Sequence, residues 1–202
     1  MSLTASDSGP IWTATTNANG LTIPPLNPPK GATAPFVYAS NVFTKEQLDS
    51  IESMVDMNNG TQFNDWQKKS WTTDIVYNED SQWLFCQLAK TVHQLNTEYY
   101  RFNITQLDEI IQYAIYDVGS EYNWHTDYTS CPTPARKFTV VVQLSDPDEY
   151  EGGEFELFPD IKVPQERGLI HIFPPYWHHR VNTVQKGSRK VLITWVWGPP
   201  FV

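Results

Sequence analysis

Apolar residues recur along the chain with two different periods, and the change from one to the other divides it. Thr44 reads as a helix N-cap with Gln47 three residues later, the spacing of a capping box. Beyond it Leu48, Ile51, Met54 and Val55 recur at helical intervals and stop before Asn58-Asn59-Gly60. A second stripe of Leu84, Leu88, Val92, Leu95 and Tyr99 predicts a helix from about Asp80 to Phe102, with His93 off the stripe and on the surface. After Ile104 the texture shortens. Runs rich in β-branched and aromatic residues (Ile110–Tyr116, Lys137–Leu144, Glu154–Leu157, Leu169–Phe173 and Lys190–Trp197) alternate with turn signals at Val118-Gly119-Ser120, Asp146-Pro147-Asp148, Gly152-Gly153 and Lys186-Gly187-Ser188. Many short strands at this spacing predict an antiparallel sandwich or barrel over about 105–199, buttressed by the two helices of about 44–102. No internal repeat is visible.

Residues 1–35 follow neither period. They are rich in Thr, Ser, Asn and Gly and then in Pro, through Pro24-Pro25 and Pro28-Pro29, which predicts an extended arm with Trp12 and Leu26 as its possible anchors. The expected organisation is this arm followed by one domain over 36–202. With 40% of its 202 residues hydrophobic and 14% aromatic, including eight Trp, the chain has the means to build a sizeable core. Its 14 Lys and Arg against 23 Asp and Glu leave a net charge of −9, a poor match for nucleic acid or an anionic membrane. Nothing approaches a membrane-spanning run, and Met1 to Pro10 has no leader pattern, so a soluble cytoplasmic protein is expected. Cys86 and Cys131 are too few for a disulfide framework and read as free thiols, with a single bridge as the alternative.

Chemistry concentrates in the second half. In Trp124-His125-Thr126-Asp127 an extended backbone turns residues i and i+2 to the same side, so His125 and Asp127 can meet one metal ion. A third ligand from the distant Trp177-His178-His179-Arg180 would complete two histidines and a carboxylate with open positions, the arrangement of non-haem Fe(II) oxygenases. Arg189 shares a period-two face with Val191, Ile193, Trp195 and Trp197. If that face turns inward, the guanidinium needs an anion, and a small dicarboxylate beside the metal fits it, with Tyr116 adding a hydrogen bond. Otherwise Arg189 is a surface residue after a turn. His171 falls in a predicted strand and reads as a core or supporting histidine. Tyr122, Trp124, Tyr128 and Trp177 form either an aromatic wall for a proline ring or extended peptide, or plain core packing.

These pieces together resemble the Fe(II)/2-oxoglutarate-dependent dioxygenases, specifically the prolyl-4-hydroxylase-like group with its PKHD-type bacterial and phage relatives. Tyr116 through Asp127 is similar to the family's Tyr-x-x-Gly-x-x-Tyr-x-x-His-x-Asp, Gly152-Gly153-Glu154 to its Gly-Gly-Glu hairpin, and His179, Val181, Val184, Gly187 and Arg189 to its distal motif. The resemblance implies a mainly β (α+β) fold with a double-stranded β-helix, or jelly-roll, core and supporting N-terminal helices. It implies that His125, Asp127 and His179, rather than His178, bind Fe(II), and that Arg189 and Tyr116 hold 2-oxoglutarate. Arg136 is similar to a family position that contacts peptide carbonyls. The implied activity is a 2-oxoglutarate-dependent hydroxylation using O2, supported by ascorbate and releasing succinate and CO2. A prolyl residue of a peptide or protein is the expected substrate, with a free amino acid or other small molecule as the alternative. Two departures stand out: eukaryotic prolyl hydroxylases carry Lys where Arg189 stands, and Thr183 replaces a usual proline. A non-catalytic jelly-roll binding module and a zinc hydrolase are the rivals; neither needs an inward arginine beside the metal.

Overall fold

The computed structural model describes residues 35–128 and 135–201, and the backbone of two short antiparallel strands, β1 (Thr15–Thr16) and β2 (Thr22–Ile23). The remainder of the expected arm, with Trp12, Leu26 and its proline run, and Cys131 lie outside the described residues. Strand β3 (Val37–Ala39) leads into α1 (Lys45–Ser53). Thr44 caps α1 as its sequence predicts: its hydroxyl accepts from the Gln47 N–H and the Gln47 side chain accepts from the Thr44 N–H, satisfying two orphan donors at once. A hairpin of β4 (Thr61–Asn64) and β5 (Lys68–Val76) follows, then α2 (Gln82–Leu95). The helix does not run unbroken to Phe102. Asn96–Tyr100 widen into a π-turn, Arg101 is left-handed at φ 57°, and the Asn96 side chain closes the end by bonding both N–H and C=O of Phe102.

The strands of the second half are β6 (Gln106–Leu107), β7 (Ile110–Asp117), β8 (Glu121–His125), β9 (Ala135–Gln143), β10 (Tyr150–Gly152), β11 (Phe155–Leu157), β12 (Ile161–Lys162), β13 (Ile170–Phe173), β14 (His179–Val181) and β15 (Val184–Gly198). They hydrogen-bond in the order β12-β11-β14-β8-β5-β7-β15-β9-β13-β3, mostly antiparallel and curled into the two facing layers of a jelly roll. Strand β5 joins the layers, pairing with β7 in one and with β8 in the other. The sheet thus recruits β4 and β5 from the stretch expected to hold only helices, and β3 from just before it. Among the described residues no helix is long and apolar enough to cross a membrane.

Alternation along the strands sorts side chains into two cores. Phe138, Val140 and Val142 of β9 and Leu192 and Val196 of β15 face outward onto Leu84, Leu88, Val92 and Leu95 of α2 and Leu48 and Ile51 of α1. Their neighbours Val141 and Val191 face inward with Tyr116, Phe155, Phe173 and Val181. The turn expected at Lys186-Gly187-Ser188 is absent. Strand β15 passes straight through it, with Gly187 at φ +70° pressed against the Glu149 carbonyl; a Cβ there would lie 2.0 Å from that oxygen.

Candidate metal centre and cavity

The inner layer ends in a cluster of three groups. His125 and His179 are direct cross-strand partners between β8 and β14, and Asp127 follows two residues beyond β8, its N–H donating to the Pro175 carbonyl. Asp127 Oδ1 lies 3.7 Å from His125 Nε2 and Oδ2 lies 3.7 Å from His179 Nε2, and one ligand atom from each residue falls within 4.8 Å of the others. Each imidazole is oriented by its own strand. His125 Nδ1 is 2.7 Å from the Asn123 carbonyl and His179 Nδ1 is 2.9 Å from the Trp177 carbonyl. A carbonyl only accepts, so each Nδ1 carries the proton and each Nε2 presents its lone pair to the cluster. Tyr122 stacks on the His125 ring with centroids 3.5 Å apart, and Phe173 meets His179 edge-on.

Asp127 is held in place by donors. Thr139 Oγ1 and Trp195 Nε1 both donate to Oδ2, at 2.7 and 3.1 Å, and Arg136 Nη1 donates to its backbone carbonyl at 3.2 Å. Burial acts to raise the carboxyl pKa, but His179, His125 and the Thr139 and Trp195 donors outweigh it, so the group is held below its ordinary value. Burial, and then the adjacent His179, push His125 down to about 4. Burial likewise lowers His179 despite the attraction of Asp127. Two neutral imidazoles and an ionised carboxylate are the protonation states a divalent metal requires.

Beside the cluster opens a cavity of about 260 Å³ lined by Tyr116, Thr139, Val141, Phe155, Val191 and Ile193 among others. Arg189 lies in its wall and is 2% exposed. Among the described residues no carboxylate pairs with it, and its Nε is buried without a partner. Burial works to lower its pKa, while Tyr150 and Tyr116 favour the charged form. Tyr116 sits opposite it across β7 and β15, fully buried, its hydroxyl pKa raised by that burial against the pull of Arg189. A buried guanidinium with an orphaned donor facing a cavity is a seat for a carboxylate.

Of the five residues expected near a substrate, the cavity takes in Tyr122 and Arg136 and leaves out three. Trp124 turns to the other face of β8, where Phe158 meets its ring edge-on and the Arg180 guanidinium lies 4.6 Å above it. Tyr128 is 51% exposed beyond the strand end, and Trp177 packs against the inner core. Arg136 is stacked on Trp195 at 3.9 Å, so much of its surface is committed to holding the Asp127 loop. His178 is exposed, whereas His179 is buried in the cluster. His171 is buried between Phe36 and Tyr38 and is pushed down to about 3, by burial and then by Arg189; its Nε2 has no partner. His93 and Cys86 are exposed, Cys86 as a free thiol. Sequence reasoning missed Lys68, which lines the cavity from β5. Its only signal was a Lys-Lys pair beside a turn.

Two imidazoles and a carboxylate gathered at the mouth of a jelly roll, with open space beside them, are the donor set of a mononuclear non-haem iron protein. Residues 111–197 match the family model of the 2OG-Fe(II) oxygenase superfamily. A PKHD-type hydroxylase of Prochlorococcus marinus is 36% identical over 83 residues, which cover 39% of this chain and 37% of that protein. The first curated relatives are matched over only 36–41% of their own lengths. Among solved structures, a Pseudomonas putida prolyl-4-hydroxylase superposes with a TM-score of 0.68 at 14% identity, covering 84% of this chain and 95% of that one. A Trichoplax adhaerens prolyl hydroxylase in complex with a hypoxia inducible factor peptide fragment gives 0.64 at 17% identity, covering 81% and 84%. At these identities the two structures speak for the fold.

Proposed function

We propose that the chain is an Fe(II)- and 2-oxoglutarate-dependent dioxygenase that hydroxylates a prolyl residue of a peptide or protein, with release of succinate and CO2. The observation that carries this reading is one cavity holding both the His125–Asp127–His179 cluster and a buried Arg189 without a carboxylate partner. A zinc hydrolase or a binding module has no use for that arginine. In this reading His125 Nε2, the Asp127 carboxylate and His179 Nε2 hold the iron, and Arg189 with Tyr116 takes the far carboxylate of 2-oxoglutarate. Iron, 2-oxoglutarate and O2 supply the oxidising chemistry when bound. The chain's own work is to orient it: Thr139 and Trp195 fix the Asp127 carboxylate, the Asn123 and Trp177 carbonyls fix the imidazoles, and Val141, Phe155 and Val191 keep water from the interior. Tyr122, stacked on His125 with Lys68 Nζ over its ring, offers its edge to a proline ring. Prolyl hydroxylases among the structural neighbours, one of them with a peptide, support the peptide substrate.

The test is succinate formation from 2-oxoglutarate by protein given Fe(II), ascorbate and air, with and without a proline-rich peptide. Iron-dependent succinate that rises with peptide is expected. Asp127→Ala should lose stoichiometric iron and at least ~100-fold in succinate formation, more than the loss of an outer partner costs. Full activity in that variant overturns the metal assignment. Succinate indifferent to peptide keeps the chemistry and removes the peptide substrate.

A further inference from the structure

Three cations line the cavity of this acidic chain, and they sit at two separate places. Arg189 pairs with Tyr116 near one end of β15, whereas Arg136 lies opposite Trp197 near the other. Eight residues of strand separate those two registers, roughly 25 Å at ~3.3 Å per residue, so Arg136 and Arg189 cannot grip the same small carboxylate. Lys68 reaches the cavity from β5. Its register partner is Tyr122, and its nearest charges include Asp127. The ammonium is clasped by aromatic faces, with Nζ 4.5 Å from the Phe63 ring centroid and 5.1 Å from that of Tyr122, the same ring that stacks on His125.

Among the described residues neither Lys68 nor Arg136 makes an ion pair, although Asp127 and Asp108 attract Arg136. Among the described residues the lysine ion pairs are Lys69–Glu121, Lys186–Glu151 and Lys190–Glu52, and Lys68 makes none. Asp65, at the hairpin turn, attracts Lys68 but spends its Oδ1 on the N–H groups of Gln67 and Lys68. Arg136 has a buried Nε without a partner. Filling the centre does not change this. The charges of Fe(II) and Arg189 balance those of Asp127 and 2-oxoglutarate, leaving Lys68 with only the committed Asp65 near it and Arg136 with Asp108. A lysine without an ion pair on a half-buried rim, in a protein of net charge −9, favours an anion arriving from outside.

We propose that Lys68 forms a carboxylate-reading subsite at the cavity mouth, so that the substrate carries an acidic group next to the residue hydroxylated. The inference rests on the oxygenase reading and deepens it. The carboxylate can come from an acidic side chain flanking a peptidyl proline or from the free carboxylate of an amino acid, and both present the same chemistry to Lys68.

Binding is measured to protein loaded with Mn(II) and 2-oxoglutarate, which does not depend on turnover, using end-blocked peptides with Glu or Gln beside proline, and free proline against prolinamide. The Glu peptide, or free proline, should bind about tenfold more tightly than its neutral match, the scale of one charged hydrogen bond. Lys68→Gln should bring that ratio close to one, Lys68→Arg should restore it, and in iron-dependent turnover the change should fall on KM. Which acidic ligand is preferred identifies the source of the carboxylate. Equal binding of acidic and neutral ligands by the unaltered protein overturns the proposal without calling on any variant, as does a preference that survives in Lys68→Gln. Failure of the protein to bind 2-oxoglutarate at all removes the oxygenase reading and this inference with it, a result distinct from the other two.

Discussion

Each imidazole of the centre is set by a carbonyl two residues earlier on its own chain, and the carboxylate between them by two donors from other strands. The histidines therefore bring their orientation with them, whereas Asp127 depends on the sheet. Thr139→Val removes one donor while keeping the volume, and iron affinity should fall roughly 10–100-fold with the fold intact, measured by competition with a chelator. The same residues set a pH dependence. His125 at about 4 and His171 at about 3 lie below the ordinary 6.5, so the unfolded chain takes up protons that the folded, metal-free chain refuses. That stability is complete above pH 6.5 and is lost as pH falls through the window towards the folded values. Melting of metal-free protein should show Tm declining from pH 6.5 to pH 4, with a shallower decline in His171→Phe. At this scale the gathering of His125, Asp127 and His179 was legible in the sequence, since His125 and Asp127 are two residues apart and the distal motif marks His179. Lys68 was not legible, because its place in the cavity is made by pairing across β5 and β8 and by nothing local.

At the level of elements, β15 gathers most of the design. It pairs with β7 on one side and β9 on the other, carries Arg189 inward and Leu192 outward, and shifts register between Val196 and Trp197. Its period-two face was readable because Val191, Ile193 and Trp195 alternate cleanly. Gly187 was read as a turn, since glycine beside Lys and Ser looks like one. Only the close approach of the Glu149 carbonyl, donated by a distant segment, reveals a kink inside a strand. Gly187→Ala should cost at least ~2 kcal/mol by denaturant unfolding, because it combines a left-handed backbone with a blocked Cβ. Strand β5 escaped the hydrophobic pattern for another reason. Its buried positions include Ser70, Thr72 and Thr73, so no apolar alternation betrays it, and the capped helices on either side dominate the reading. The capping box of α1, by contrast, is a purely local device and was visible in Thr44 and Gln47 alone.

Across the whole molecule, one core joins the helices to the outer face of the sheet and the other fills the roll beside the cavity. Ligands that fill the cavity bind only the folded chain, so they stabilise it by mass action. Mn(II) with 2-oxoglutarate at ~100 times its dissociation constant should add about 2.7 kcal/mol, read as a rise in Tm, and Arg189→Leu should abolish the 2-oxoglutarate part while keeping that of the metal. The short strands β11, β12 and β14 hold the second layer by few ladder bonds, and that layer meets β8 at the pair His125 and His179. An ion shared by those two rings is a rivet through the seam between two strands as well as a reagent. Under the proposed function, emptying the centre would loosen the very wall that shapes it, so that a chain short of iron would forget the form of its substrate before it lost its fold.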